Sequence, residues 1–449
     1  MYKLILATRY LIKRRITYLA MLSVCLCVFM VVVVMTVMAG LVNDFKTENH
    51  QWTGDCVISS DSLVGFPFYE EFLEVLDRLT FVEASSPVVQ TYGILTPGSS
   101  DRNTGIEIMG FDPERHCRVT NFGQTIHYHK NDCANVFKPD YNPNLPGCVL
   151  AIDKAVARDS RGRYWQEPKI PVASVAVSCF PLTPKGTLAK AGLGLVNTKT
   201  FYYSDNSHSG LAKVDNSFIY VPLDDAQLLC GMAGVEKRVN AIHIKFKPRT
   251  NLNWGCREVA KLWTAFLATK KNQQSAGLLD SVSVQSWKGF RRDVIAAVET
   301  EQMMMTVAFA MIGIIAVFIV FVVFYMIVSH KTKDIGILKS IGVSNENIVR
   351  LFLGFALIVG ILSSAAGALL GWLFLLYINK IEDILFERFG FQLWDRTFYA
   401  IGEIPNTVDP KVLTVVSLSA VFVCIIGAFI PSRQAAKLEP VETLRVGRL

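Results

Sequence analysis

Gln302-Met-Met-Met-Thr-Val-Ala-Phe-Ala-Met-Ile-Gly-Ile-Ile-Ala-Val-Phe-Ile-Val-Phe-Val-Val-Phe-Tyr-Met-Ile-Val-Ser329 carries no charged side chain from end to end. Coiled at about 1.5 Å per residue it reaches roughly 40 Å, more than a hydrocarbon core of about 30 Å. Three further uncharged apolar stretches, 16–42, 351–378 and 412–431, are long enough to do the same. Hydrophobic residues make up 51% of the 449, and the mean hydropathy is +0.34, so membrane spans precede any soluble-domain reading. The excess length of the first three predicts tilt or helix continuing beyond the lipid.

Basic residues set the orientation. Lys3, Arg9, Lys13, Arg14 and Arg15 precede the first span; Lys331, Lys333, Lys339 and Arg350 separate the second from the third; Arg433, Lys437, Arg445 and Arg448 follow the fourth. The segment between spans three and four is acidic instead, with Glu382, Asp383, Glu387, Asp395, Glu403 and Asp409. The positive-inside rule places both termini and the 330–350 loop in the cytoplasm. The net charge of +7 then reflects topology and calls for no nucleic acid. Val37-Met38-Ala39 resembles a cleavage site, but the apolar run is too long for a signal peptide, so an uncleaved anchor is expected.

The expected order is a cytoplasmic segment 1–15, span 16–42, an external domain 43–299, span 302–329, loop 330–350, span 351–378, an external loop 379–411, span 412–431 and a cytoplasmic tail 432–449. The external insert reads as α+β and is long enough for two subdomains. Strands are expected at Val57–Ser60, Ile106–Gly110, Val172–Ser178, Phe218–Val221 and Ala241–Phe246, and helices at Pro67–Leu79 and Cys256–Leu267. Punctuation residues mark loops at 96–105, 139–147 and 205–210. The seven cysteines of the insert, Cys56, Cys117, Cys133, Cys148, Cys179, Cys230 and Cys256, leave at least one free, with connectivity open. Cys117, His127, His129 and Cys133 could in principle hold zinc, but the spacing matches no tight ligand pattern and no metal is expected.

Chemistry-bearing motifs are sparse. Gly192-Leu-Gly-Leu-Val-Asn-Thr-Lys-Thr200 imitates a phosphate loop, yet Thr198 occupies the required glycine position. No nucleophile elbow or HExxH motif is present, so no catalytic residue is expected. Almost no ionisable group lies in the spans, against an ion-coupled carrier.

Lys331-Thr-Lys-Asp-Ile-Gly-Ile-Leu-Lys-Ser-Ile-Gly342 lies between spans two and three. Ile335, Leu338 and Ile341 fall on one helical face with Ile337 beside it, while Lys331, Asp334 and Lys339 sit elsewhere. Gly342 suits a helix stop, and Ser344 with Glu346 the start of the next helix. Physical chemistry alone reads this as an interfacial connector or a handle for a partner.

This stretch resembles the coupling segment of the FtsX/MacB/Lol class of ABC-transporter permeases. Tyr399-Ala-Ile-Gly-Glu-Ile-Pro405 and Ile430-Pro-Ser-Arg-Gln-Ala-Ala-Lys-Leu-Glu-Pro-Val-Glu-Thr-Leu-Arg445 resemble the end of the LolC/LolE lipoprotein-release family. Arg9-Tyr-Leu-Ile-Lys-Arg-Arg15, Val34-Met-Thr-Val-Met-Ala-Gly40, Gly110-Phe-Asp-Pro113, Tyr220-Val-Pro-Leu223 and Glu299-Thr-Glu301 fit as well. Ile430, Ser432 and Ala39 depart from the usual residues, and 116–148 and 187–209 match nothing in the family pattern.

The resemblance implies a MacB-like fold: four transmembrane helices with a large periplasmic α+β domain between the first and second. It implies a multi-pass bacterial inner-membrane permease subunit that binds no cofactor, with ATP and Mg on two copies of a separate cytoplasmic ATPase. A second permease subunit, identical or not, would complete the transporter. Lys331, Lys333, Asp334, Ile335, Ile337, Leu338, Lys339 and Gly342 would receive the ATPase stroke, and spans one and two would carry it outward. Cargo lipoproteins would pass from the outer leaflet to a periplasmic chaperone. At ~0.8 kcal/mol per methylene, baring a triacyl anchor would cost on the order of 30 kcal/mol, so an apolar path is needed. Met35, Met38, Met304 and Met305, with Met30, Met303 and Met311, would suit such a groove or plain membrane packing. Gly360, Gly367 and Gly371 suit close helix packing, within the subunit or to a partner. A MacB-like efflux permease and an FtsX-like transmitter activating a cell-wall hydrolase are the alternatives.

Overall fold

The computed structural model describes residues 15–98, 102–159, 161–189, 196–234, 236–270, 272, 276–330, 332–392, 394 and 403–437. In chain order its principal helices are α1 (Arg15–Thr53), α2 (Tyr69–Asp77), α3 (Pro113–Val119), α4 (Leu223–Cys230), α5 (Leu252–Lys270), α6 (Arg292–His330), α7 (Thr332–Ser340), α8 (Asn345–Phe389) and α9 (Pro410–Lys437). Two units divide the chain: Met1–Asn43, Ala297–Trp394 and Glu403–Leu449 form one, and Asp44–Ala296 with Asp395–Gly402 the other.

The first unit is helical. α1, α6, α8 and α9 are the four helices, among the described residues, long and apolar enough to cross a membrane. Each contains one of the apolar stretches and runs past it. α1 continues beyond residue 42 to Thr53, and α6 begins at Arg292 rather than at 302. α8 extends to Phe389, so residues 379–389 of the expected loop are helix. α9 passes through Pro431 to Lys437. Proline removes one backbone bond there, and the buried Ser432 hydroxyl donates to the Ala428 carbonyl at 2.6 Å. Val24, Val28 and Val32 of α1 pack with Val320 and Phe324 of α6, Phe355 and Val359 of α8, and Cys424 and Ala428 of α9.

The second unit is a mixed sheet with helices. Its strands are β1 (Cys56–Ser60), β2 (Val82–Pro97), β3 (Thr104–Phe111), β4 (Gly147–Ala151), β5 (Ser174–Cys179), β6 (Asn197–Ser207), β7 (Phe218–Pro222), β8 (Ala241–Phe246) and β9 (Val282–Ser286). The spatial order is β3-β7-β4-β6-β5-β2-β8-β1-β9, and β3 also pairs with β2. The long β2 meets β8 through its first half, then β3 and β5, which closes a six-strand ring with β8, β1 and β9 as an extension. β3–β7 and β4–β6 are parallel; the other pairs are antiparallel. β1 and β9 pair with Cys56 opposite Ser286. α2 and α5 cover one side, where Phe72 meets Trp263 edge-on at 4.8 Å between ring centroids.

All five expected strands and both expected helices of the insert are present. β2, β4, β6 and β9 were not anticipated. The loop expected at 205–210 is instead strand as far as Ser207. Ser204, Asp205, Asn206 and Ser207 look like turn residues, but they are buried and bonded. The Ser204 hydroxyl lies 2.7 Å from the Val136 carbonyl and 2.8 Å from that of Cys148. Asp205 accepts the backbone N–H groups of His127, Tyr128, His129 and Asn206 at 2.7–3.1 Å.

The residues weighed for zinc lie in the same neighbourhood. Cys117 and Cys133 are joined in a disulfide. The His129 ring lies 3.1 Å from both Asp205 and Asp140. Among the described residues no cluster of three or more ligating side chains could hold a metal. Lys199, the end of the phosphate-loop imitation, sits in β6 and pairs with Asp225 at 2.5 Å; residues 190–195 lie outside the described residues.

Candidate coupling site

With nine residues α7 is too short to be stable as a helix alone, and its neighbours hold it. Ile335 is the anchor. Only 2% exposed, it packs with Val328 of α6, Ile348 and Phe352 of α8, and Ala435 and Ala436 of α9. Lys333 and Asp334 belong to its first turn, Leu338 and Lys339 are half-buried near its end, and Lys331 lies outside the described residues.

Gly342 terminates the helix. It takes φ +97°, and its N–H donates to the Lys339 carbonyl at 3.0 Å while that of Val343 reaches back to Leu338 at 3.1 Å. This is the paired-bond stop that a left-handed glycine allows. Ser344 then occupies the cap position of α8 with extended backbone, and Glu346 pairs with Arg350 at 3.5 Å one turn on.

The expected face of Ile335, Leu338 and Ile341 is not buried along its length. The Ile341 N–H still reaches the Ile337 carbonyl at 3.2 Å, but Ile341, at the helix end, is 75% exposed while Ile335 is enclosed. Ile337 is 49% exposed. Thus Ile335 wedges α7 against three long helices, while Ile337, and Ile341 just past the helix, stand exposed. Exposed apolar side chains grouped on a charged segment fit a protein-docking surface.

The span-three glycines pack within the subunit. A Cβ on Gly367 would stand 2.5 Å from the Cys25 carbonyl and 2.8 Å from Val28 of α1; one on Gly371 would stand 3.0 Å from Val32. Gly360 faces Cys424 and Val421 of α9 at 3.2 Å. Gly427, which the sequence reading passed over, meets the Val317 carbonyl and Val320 of α6 at 2.9 Å. Its signal was the small-residue series Cys424, Gly427, Ala428 on one face of α9.

Between α1, α6 and α9 lies an apolar cavity of about 450 Å³, lined by Val24, Val28, Phe309, Gly313, Val317 and Ala420 among others. No methionine lines it. Met304 and Met305 are exposed along α6, and Met35 and Met38 are half-buried on α1.

Motifs far apart in the chain meet in pairs. Gly40 of α1 lies against Pro405, where a Cβ would come within 2.5 Å of the proline ring. Asn379 of α8 holds the same segment, accepting the Ile404 N–H at 2.9 Å and donating to its carbonyl at 3.3 Å. In the insert, β3 and β7 set Gly110 beside Val221 and Phe111 beside Pro222. Asp112 caps α3 by accepting the Arg115 N–H at 3.0 Å, with Pro113 in the first turn.

The family model for the FtsX-like permease C-terminal region matches residues 306–440, the segment that holds α7. LolC of Neisseria meningitidis serogroup B, a lipoprotein-releasing system transmembrane protein, is 23% identical over 84% of this chain and 81% of its own length. LolC of Xylella fastidiosa (strain Temecula1) is 22% identical over 97% of both chains. The chain is similar to LolC/LolE-type permeases along most of its length. The periplasmic region of MacB from Actinobacillus actinomycetemcomitans superposes on 54% of this chain and 94% of that chain, at 12% identity and a TM-score of 0.29. Among the described residues, four helices are long and apolar enough to cross a membrane, as such permeases require.

Proposed function

We propose that this permease is the membrane subunit of a lipoprotein-releasing transporter of the inner membrane. The resemblance to LolC along almost the whole of both chains carries the reading. In it, both termini and α7 face the cytoplasm, and the inserted domain is periplasmic, in keeping with the basic residues around α7. Two ATPase copies grip two permease subunits. Exposed Ile337 and Ile341 enter the ATPase surface, while buried Ile335 passes the displacement to α6, α8 and α9. ATP and Mg stay on the ATPase, and the permease itself binds no cofactor.

Cargo remains on the outer side throughout. The stroke moves α1 and α6, acyl chains leave the outer leaflet along apolar helix faces, and a periplasmic chaperone receives them. An apolar route keeps the transfer from exposing tens of methylenes to water at ~0.8 kcal/mol each.

The test is affinity capture of the full chain in mild detergent, with identification of what is retained. An ATPase together with acylated lipoproteins is the expected result. An ATPase with a cell-wall hydrolase or an outer-membrane duct, and no lipoprotein, would overturn the reading.

A further inference from the structure

Four of the seven cysteines of the inserted domain lie in two close pairs. Cys117 and Cys133 are already bonded. Cys179 ends β5 and Cys230 ends α4, fifty-one residues apart in sequence, and their sulfurs stand 4.0 Å from each other. Both are buried in the main core of the domain.

Polar contacts fix the backbone on both sides of this pair. The Leu182 N–H donates to the Cys230 carbonyl at 3.0 Å. The Arg238 guanidinium donates to the carbonyls of Leu182 at 3.2 Å and Gly231 at 2.8 Å. The Asn197 amide donates to those of Leu228 and Leu229 at 3.1 Å. Both segments are held, with the sulfurs about 2 Å further apart than a disulfide bond of ~2.05 Å.

We propose that Cys179 and Cys230 form a second disulfide, tying the end of β5 to the end of α4. The proposal rests on the periplasmic placement of this domain, since disulfides persist in oxidising compartments. Either cysteine can start the exchange; when Cys179 does, its thiolate is the nucleophile. It attacks one sulfur of a protein disulfide carrier and expels the carrier's other sulfur as a thiolate. Cys230, deprotonated in turn, attacks the Cys179 sulfur of the mixed disulfide and expels the second carrier sulfur. Two electrons pass to the carrier, and the two protons lost by the cysteines end on its thiols. Burial of both sulfurs places this exchange before the core closes.

The full chain, purified from membranes, would be denatured in excess alkylating reagent without reductant, digested and mapped by mass spectrometry. Cys179 and Cys230 peptides linked to each other, two hydrogens lighter than the free pair and alkylated only after reduction, are expected. Alkylation of both while Cys117–Cys133 stays linked overturns the proposal and leaves the placement standing. Alkylation of all four overturns the placement and the proposal with it. Linkage of Cys179 to any other cysteine also overturns it.

Discussion

The guanidinium of Arg291 lies 4.2 Å from the centre of the Trp52 ring. Trp52 stands in the last turn of α1 and Arg291 immediately precedes α6, so one contact joins the final turn of one long helix to the entry of the next. Around it, the His50 ring stacks on Trp287 at 4.8 Å, and the Trp287 N–H donates to the Asp55 carbonyl at 3.1 Å. Arg291 Nε is buried without a hydrogen-bond partner, and burial pulls the guanidinium down to about 10, opposed by the nearby Glu107 charge. The ring face therefore does much of what water would do for this cation.

Replacing that cation is the first test. Arg291→Leu should lower the stability of the inserted domain by about 2 kcal/mol, the size of a desolvated cation–π contact. Arg291→Lys should recover only part, because an ammonium cannot lie flat on the ring. Calorimetric unfolding of both variants measures it; an unchanged Arg291→Leu would show the contact to be idle.

The two isoleucines of α7 should separate folding from coupling. Ile337→Asp places a charge where the side chain is already half in solvent, so the protein should insert normally yet lose ATPase stimulation by tenfold or more. Ile335→Asp buries an unpaired charge among α6, α8 and α9 and should deplete the protein from membranes. Membrane abundance and ATPase stimulation, measured together, distinguish the two.

Span three predicts a graded series. Gly367→Leu must displace the Cys25 carbonyl and Val28, and overpacking of this kind costs about 1–3 kcal/mol. Gly371→Ala, with 3.0 Å to Val32, should cost less, and Gly354→Leu, with nothing within 4 Å, should be neutral. Thermal unfolding in detergent should rank them in that order.

Acid should destabilise the inserted domain early. Burial lowers His243 to about 3, with Arg291 adding to it, and burial with His243 nearby lowers His116 well below its usual value. Unfolded histidine protonates near 6.5. Below that pH the unfolded chain takes up protons the folded one refuses, so stability present above pH ~6.5 is lost as the pH falls toward 3. The slope should approach roughly 1.4 kcal/mol per pH unit for each histidine. His243→Gln should flatten it in a pH series of unfolding midpoints.

His129 works in the opposite direction. Its hydrogen bond to Asp205, with help from Asp140, raises its pKa. Its contribution is complete below pH ~6.5 and disappears as the pH rises through the folded value. His129→Asn should abolish that alkaline-side decline while leaving the acid limb in place.

How much of this was readable in the chain depended on whether a residue's role was local. The spans needed only apolar length, and Gly342 needed only its place after a basic amphipathic turn. Periodicity put Ile341 on one face with Ile335, but at the helix end that face is exposed, which spacing alone does not tell. Asp205 to Ser207 were misread for another reason: partners in distant segments turn polar punctuation into buried strand. β2 escaped because nearly continuous burial erases the alternation that marks a strand. Gly360, Gly367 and Gly371 announced close packing, but only the three-dimensional contacts assign it to α1 and α9.

The Cys56–Ser286 register has a mechanical consequence. The chain enters β1 and leaves β9 at the same end of one antiparallel pair. If the two flanking helices pull in the same sense, both strands carry a common load and the hydrogen bonds between them stay unstressed. If they pull in opposite senses, five facing residue pairs are placed in shear at once. The domain should therefore follow a shared stroke as a rigid passenger and resist a differential one.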